Sequence, residues 1–532
     1  MPEYLTPGVY IEEIEIGAKP IEGVSTSTAG FLGEAERGPT YPQLVTSFLE
    51  YKRTFGGFFD PAKFLPNAID GFFANGGKQC YVARIIDRDK AKRAADTVSG
   101  VQLTAVGEGV WGQNVAYRIK KASTEPETRG FRLQVHYWSG TRPDNPVDPF
   151  ASSDELAVGD TKTRLRHQPA PRHSEDFDDL VLDESSPNFI EKRVADGLSM
   201  LVELKKLNAV LPKPTPALKY LPGAAGDNGD PVALKDYDGR LDPDATFHER
   251  TGLSALKEPG FEAIAILYAP NAFTVPGLAE LLMTHCETNK YRFAILDSLQ
   301  NKALVTDLDP RNHKPDGARP SQYAAFYYPW IKVIDPDSAA RKLIPPGGHM
   351  AGIYARTDIE RGVFKAPANE IVRGAVELEF EVTDGIQAVL NPRGVNAIRA
   401  FPGRGRRIWG ARTLSDDPLW KYISVRRLFI FLEASIFRGT QWVVFEPNNE
   451  RLWARVKQTI TEFLRTQFRL GALLGATEEE AFFVKVDRST MTDDDINNGR
   501  LVVVIGVAPV RPAEFVIFRI AQLTSSATSV QL

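Results

Sequence analysis

A strand–helix alternation that stops and later resumes constrains this chain more than any other feature. Ser27 to Leu32 is a short apolar run, followed by the turn-rich GEAERGPTYP. Ser47 has N-cap chemistry, and Glu50 three residues on completes the spacing of a capping box. Pro66 to Phe73 reads as a second helix and Cys80 to Ile86 as a buried strand. The rhythm returns with a strand at Ala263 to Tyr268 and a helix at Pro276 to Asn289, with proline at its start. Strands at Phe293 to Leu296 and Ala324 to Ile334 come next. Such alternation indicates an α/β unit.

Between the halves the chain changes character. A charge run, Asp87 to Arg93, leads to strands at Tyr117 to Lys121 and Phe131 to Tyr137 among polar loops. Arg142 to Pro149, Arg164 to Asp179 and Pro212 to Asp242 are rich in proline and aspartate. Ser186 to Leu207 carries Ile190, Val194, Leu198, Leu201, Val202 and Leu204 along one side and predicts a single helix. The expected fold class is α/β (α+β) and multidomain. A discontinuous α/β domain, residues 26–100 and 247–348, carries an inserted, β-rich domain over 101–246. The 532 residues are too many for one simple core, which suits this division.

The last third differs again. Glu450 to Gly471 places Leu452, Val456, Ile460, Phe463 and Phe468 at helical spacing, with Arg451, Arg455, Lys457, Arg465 and Arg469 opposite. Phe482 to Asp487 (with Phe483, Val484 and Val486) and Leu501 to Ala508 (with Val502, Val503 and Val504) predict a two-stranded hairpin. Asp493 to Gly499 supplies its turn and both its edges are open. Pro509 and Pro512 then break the chain, since proline cannot donate to a ladder. Beyond them Phe515, Val516, Ile517, Phe518 and Ile520 are strongly strand-like. At the other terminus Leu5 to Ile16, including Val9, Tyr10 and Ile11, alternates like a strand, and Gly17 to Gly23 separates it from the α/β domain. A lone terminal strand needs a partner. Its own domain and a neighbouring chain are both open on the residues alone, the first slightly favoured.

Little here points to catalysis. None of the seven histidines forms HExxH, and no GxSxG, Walker A or GxGxxG run occurs, so no catalytic, cofactor or metal site is expected. His285-Cys286 reads as a packing pair, because no third orienting group can be named. Asp493 to Asp495 lacks EF-hand spacing. Cys80 and Cys286 match no zinc or disulfide framework. A net charge of −4 excludes a bulk electrostatic nucleic-acid binder. Only Arg399 to Arg427 is strongly basic, with PGRGRR over Pro402 to Arg407 and few aromatics to stack bases. It fits an acidic protein surface, a phosphate backbone or plain solvent. An α/β hydrolase with an unfamiliar site and a nucleic-acid binder using 399–427 are therefore the alternative functions. No apolar run reaches membrane-spanning length, and MPEYLTPGVYIEE lacks a signal-peptide core. The expectation is cytoplasmic synthesis, no membrane insertion, and extracellular release by lysis.

Several segments resemble one family. TPGVYIEE (Thr6 to Glu13), AGFLGEAERGP (Ala29 to Pro39), WGQN (Trp111 to Asn114), TGLSAL (Thr251 to Leu256) and GIYARTDIERGVFKAPAN (Gly352 to Asn369) are joined by LGATEEEAFFVKVD (Leu474 to Asp487) and APVRPAEFVIFRI (Ala508 to Ile520). Together they resemble the sheath proteins of contractile tails, in tailed phages, R-type pyocins and extracellular contractile injection systems. The modest insert makes the resemblance nearer to injection-system sheaths than to large phage sheaths. The resemblance implies a structural subunit, not an enzyme, forming stacked hexameric rings around an inner tube, with baseplate and terminal cap proteins as further partners and no nucleic acid. It implies contraction that drives the tube through a target envelope. Residues 349–510 would be the inner domain and 101–246 the outer one. Residues 1–25 and 511–532 would be strand-exchanging arms, with Val9, Tyr10, Ile11 and Phe515 to Phe518 adding to the hairpin of neighbouring copies. A basic surface of Arg455, Arg465 and Arg469, with Arg404 and Arg406, would meet the tube.

Overall fold

A computed structural model describes residues 20–518 apart from 127, 196–197, 223–225, 241–249, 304–307, 309–318 and 337–338. The described chain forms two compact units. One contains residues 23–363 and 367–434, the other residues 20–22, 364–366 and 435–518.

The larger unit is built on an eight-stranded sheet. Its order is Gly405–Ile408, Val395–Phe401, Ala324–Tyr328, Phe293–Asp297, Ile264–Tyr268, Thr28–Gly33, Cys80–Arg84 and Gln43–Val45. The six central strands are parallel, and an antiparallel strand closes each edge. Thr28–Gly33, Ile264–Tyr268, Phe293–Asp297 and Ala324–Tyr328 are buried throughout. Parallel strands covered on both faces read as continuous apolar runs, which is why they stand out in the sequence. The sheet passes the boundary expected at residue 349. Helix Gly347–Arg361 packs on its strands, and 395–408 supplies two of them.

Ser47 caps helix Phe48–Phe55 as expected, its hydroxyl accepting from the Glu50 N–H at 3.1 Å. The reciprocal half of the box is displaced by one residue, because the Glu50 carboxylate accepts from the Thr46 N–H and hydroxyl instead. The strand expected over Ala324 to Ile334 is two strands. Pro329 cannot donate to a ladder, and Ile331–Ile334 leaves for a separate three-stranded sheet with Arg341–Ile344 and Glu377–Leu378.

The insert folds as two antiparallel sheets around its own core. Lys219–Tyr220, Val115–Lys121, Gly130–Tyr137 and His173–Val181 form one, and Ala95–Val98, Val101–Ala105 and Val202–Lys206 the other. The helix expected over Ser186 to Leu207 is corrected here. Among its described residues only Ile190–Arg193 is helical, and Val202–Lys206 pairs as a strand with Val101–Ala105. Leu198, counted on the apolar stripe, is 65 % exposed. Tertiary pairing overrode a pattern that both periods could explain.

Buried polar groups fix the insert to the α/β layers. Glu36 accepts from Tyr137 Oη at 2.6 Å, Ser139 Oγ at 2.5 Å and the Gly57 N–H at 2.9 Å. Burial pushes its carboxyl up, but the bonds from Ser139, Tyr137 and Gly57 outweigh it and hold the group below the usual range. Arg84 donates to the carbonyls of Gly38 and Glu108, at 2.9 and 2.8 Å.

Helix Gly347–Arg361 lies against helix Leu65–Ala74 at close quarters. A Cβ on Gly348 would stand 2.4 Å from the Ala68 backbone, and one on Gly352 2.4 Å from the Phe72 carbonyl oxygen. Backbone cannot yield as a side-chain tip can. Gly352→Ala is expected to destabilise by about 1–3 kcal/mol, the range for forced repacking. Gly385→Ala, in helix Asp384–Leu390 with its nearest atom at 3.9 Å, is expected to be neutral or stabilising. Urea midpoints of the two variants check the contrast.

Candidate functional site

The smaller unit holds the strands singled out by the sequence. Phe482–Lys485 pairs antiparallel with Val504–Val507, Phe482 opposite Val507. Phe482 and Val484 are buried, and the strand packs on helix Glu450–Arg469. That helix buries Leu452, Trp453, Val456, Ile460, Phe463 and Leu464. Val486 is also buried and Val503 half-buried, while Phe483, Val502 and Val504 face solvent. The Phe483 ring lies over Gly506, where a Cβ would meet it at 2.2 Å.

The connection is not a plain turn. Thr492 caps a short helix, Asp493–Asn497, through a capping box with Asp495. This is the expected Asp493 to Gly499 turn corrected: three acidic residues in a first turn suit the positive end of a helix.

Among the described residues these two strands are the whole sheet. The chain does not break at Pro509, as the sequence suggested. The Leu474 N–H donates to the Ala508 carbonyl at 2.8 Å, and the Val510 N–H to the Ala472 carbonyl at 3.2 Å. Pro509 needs no donor there, since its neighbours make the ladder bonds. The break falls after Val510. From Arg511 to Phe518 no regular structure forms, and Phe515, Val516, Ile517 and Phe518 are 72, 69, 79 and 84 % exposed. Four consecutive apolar side chains therefore stand in water, in the same unit as a sheet with two strands among the described residues. Val9, Tyr10 and Ile11 lie outside the described residues.

The basic residues divide. Arg455 is exposed and stacks over the Trp442 ring at 4.6 Å, and Arg469 is exposed in the last helical turn. Arg465 is tied down within the chain. Its Nε donates to both oxygens of Glu478, at 2.9 and 2.8 Å, and its other arm meets Glu462. Arg404 and Arg406 belong to the other unit, where they donate to the Asn369 side chain and the Ala375 carbonyl.

The run from Arg399 to Arg427 proves to be internal fastening. Arg399 pairs with Asp384 at 2.7 Å, Arg412 reaches the Asn391 carbonyl, and Arg407 the Asn369 carbonyl. Arg426 and Arg427 are each 3 % exposed, paired with Glu433 and Asp358. The Arg427–Asp358 pair, which Thr26 joins, was not visible in the sequence. Its members lie 69 and 332 residues apart, and no motif links them.

Two spots that could carry chemistry in an α/β layer are taken up by packing and internal bonds. His285 and Cys286 are buried. Burial and the neighbouring Arg292 lower the His285 pKa to about 3, and burial pushes the Cys286 thiol up to about 12. Neither suits a base or a nucleophile near neutral pH. At the carboxyl ends of the parallel strands, where such folds bind ligands, Asp297 occupies the N-terminus of helix Gly347–Arg361. Its Oδ2 accepts from Tyr268 Oη at 2.5 Å and a backbone N–H of Gly347 points at it.

The comparisons agree with one another. The family model for the phage tail sheath protein central domain matches residues 253–414. That for the phage tail sheath C-terminal domain matches 415–522, so the two run over just over half of the chain. A prophage major tail sheath protein of Pseudomonas aeruginosa is 26 % identical over 288 residues, covering 51 % of this chain and 69 % of that one. The tail sheath protein of Burkholderia phage BcepMu is 28 % identical over 243 residues, covering 42 % of this chain and 50 % of that one. Two solved structures share the fold over 98 % of this chain and 99 % of theirs. The sheath complex of the extracellular contractile injection system PVC, contracted, has a TM-score of 0.56 at 23 % identity. The contracted helical sheath of the anti-feeding prophage has 0.55 at 24 %.

Asp297 yields a pH test. Burial lifts its pKa to about 7 against the bonds from Tyr268 and Gly347. The folded state therefore holds a proton that the unfolded chain has released, and this contribution to stability is lost as pH rises from the ordinary aspartate range to about 7. The slope is on the order of 1 kcal/mol per pH unit. Asp297→Asn should gain in melting temperature over the unaltered chain between pH 5 and pH 8. Buried neutral His285 and His349 give the opposite slope in both proteins and cancel in the difference.

Proposed function

This chain belongs to the phage tail sheath family, and from that premise we propose that its copies join into a contractile sheath by exchanging terminal strands. It is a structural subunit of a phage tail or tail-like particle. The observation that carries the strand exchange is the exposed run Phe515 to Phe518 in the unit whose sheet, among the described residues, has two strands. Full burial of such side chains is favourable by about 1.5–3 kcal/mol each, and added backbone bonds fix the register. In the sheath, the C-terminal strand of one copy and the N-terminal strand around Val9, Tyr10 and Ile11 of another would complete a four-stranded sheet drawn from three chains.

The smaller unit would line the tube's interior and the insert, 101–246, would face outward. Subunits would stack as six-membered rings about an inner tube, closed by a baseplate and a terminal cap. Relatives imaged in baseplate and contracted states favour the same cycle here. Arg455 and Arg469, exposed on a helix that also exposes Arg451 and Lys457, would meet an acidic inner tube. One exposed pair contributes little, but the contact recurs with every subunit. Contraction would then drive the tube through a target envelope.

Two measurements test this. Deleting everything after Val510 should leave a folded monomer that forms no striated tubes in negative-stain electron microscopy. Tubes of normal length from that truncation would remove the C-terminal strand from the mechanism. Separately, Arg455→Glu with Arg469→Glu should leave sheath tubes intact but abolish co-purification of the inner tube protein. Unchanged co-purification would show that this helix does not dock there.

A further inference from the structure

The larger unit contains a buried ion pair whose role neither packing nor the strand exchange explains by itself. Asp358 lies on helix Gly347–Arg361, which packs on strands Ile264–Tyr268 and Phe293–Asp297 of the large sheet. Arg427 lies on helix Ile423–Gly439. The Arg427 guanidinium donates to Asp358 Oδ1 at 2.9 Å and Oδ2 at 2.6 Å. The two side chains are 3 and 4 % exposed. The guanidinium stands over the Tyr354 ring, 4.8 Å from its centre.

What this fork holds is the segment that leads in from the N-terminus. The nitrogen that bonds Oδ2 also donates to the Thr26 carbonyl at 2.9 Å, and the Thr26 hydroxyl donates to Asp358 Oδ2 at 2.6 Å. Three residues earlier, a Cβ on Gly23 would lie 2.9 Å from the Phe431 ring, so the strap passes close beneath the same helix. Two residues later the first sheet strand begins at Thr28, whose hydroxyl accepts from Gln79 at 2.9 Å. The strap is therefore gripped through both a backbone carbonyl and a side chain, in one register.

A buried ion pair is weak evidence for stability, since desolvation offsets most of its attraction. Its better attested contribution is to fix register. An apolar plug can slide along its groove. A planar fork bonded to one carbonyl and one carboxylate cannot shift by a residue without leaving charges buried and unpaired.

We propose that the Arg427–Asp358 fork is the anchor of the N-terminal arm, fixing the point where the arm leaves the α/β body. Tension on an exchanged strand then reaches the large sheet through Thr26 instead of peeling Gly23 to Ser27 away. Arg427 and Asp358 are positioning residues: both are buried within their own chain, and they set where the arm begins. This rests on the strand exchange proposed above.

The test uses the full-length chain. Arg427→Met with Asp358→Leu removes both charges together and leaves no orphan, so the fold should survive. In the unassembled variant, amide hydrogen exchange at Val24 to Thr28 should speed up by about tenfold or more, while amides in Ile264–Tyr268 keep their protection. At concentrations where the unaltered chain forms long tubes, the variant should form short ones or none. Arg427→Lys keeps a cation beside Asp358 but cannot make the fork. It provides the same two readouts, changed in the same direction, if the double variant does not fold. Deletion of residues 1–14 separates the two ideas. If the deletion abolishes tubes while a folded fork variant makes them at full length, the anchor is overturned and the strand exchange stands. If the deletion itself leaves tubes normal, the N-terminal exchange fails and the anchor with it. Unchanged exchange at Val24 to Thr28 in a folded variant overturns the anchor directly.

Discussion

Every backbone N–H and C=O taken from water needs a partner, and where this chain finds those partners divides it in two. In the larger unit the six parallel strands satisfy one another, and an antiparallel strand closes each edge of the sheet. Helix Gly347–Arg361 packs on that sheet. In the smaller unit the accounting stops short. Among the described residues Phe482–Lys485 and Val504–Val507 pair only with each other as a sheet, and Phe515 to Phe518 stand in water. A soluble monomer would be expected to blunt such an edge with charge or a covering loop. An exposed apolar run in the same unit as a two-stranded sheet suits the strand exchange proposed above.

Charge obeys the same division. The arginines of 399–427 look like a surface feature when counted along the sequence, yet Arg399, Arg407, Arg412, Arg426 and Arg427 all bond to the chain's own carbonyls or carboxylates. Guanidinium suits this use, because it offers several donors in one plane and stays charged when buried. A run of arginines is thus an unreliable sign of an external anion unless the acidic residues and free carbonyls nearby are also counted. Here they come from Asp358, Asp384 and Asn391, which no local window contains.

The contrast explains what the sequence could show. The central strands were legible because burial on both faces makes them uninterrupted apolar runs, as in AAFYY and IAILY. Helix Glu450–Arg469 was legible because only one face is buried, which leaves a clear helical period. The hairpin was legible as two short apolar, β-branched and aromatic runs, FFVKVD and LVVVIGVA, either side of a polar stretch. Ser186 to Leu207 misled because Leu201, Val202 and Leu204 satisfy both periods, and the deciding partner, Val101–Ala105, lies far away in sequence. The strand expected through Ile334 ended early because one residue, Pro329, lacks a donor. The grip on Thr26 was invisible for the same reason as the arginine pairs: specificity there resides in contacts, not in pattern.

The roots of the two terminal segments illustrate two physical solutions to one mechanical problem. A strand ladder loaded along its length shares force among many bonds, but only if each strand is fixed firmly where it joins its own body. At the C-terminal root the fixing is done by backbone, as Ala472 and Leu474 pair with Val510 and Ala508 on either side of Pro509. Register there is set by the ladder itself. Gly23 to Ser27 lies outside the strand that begins at Thr28, so the sheet's own ladder does not include it. A side-chain fork takes the ladder's place and still ends on a backbone carbonyl, that of Thr26. Both devices resist sliding by a whole residue, which a purely apolar contact does not. Subunits that must rotate against one another without parting need their compliance in the linkers and their stiffness at the roots. Arg427 with Asp358 has the geometry for that stiffness at the N-terminal root.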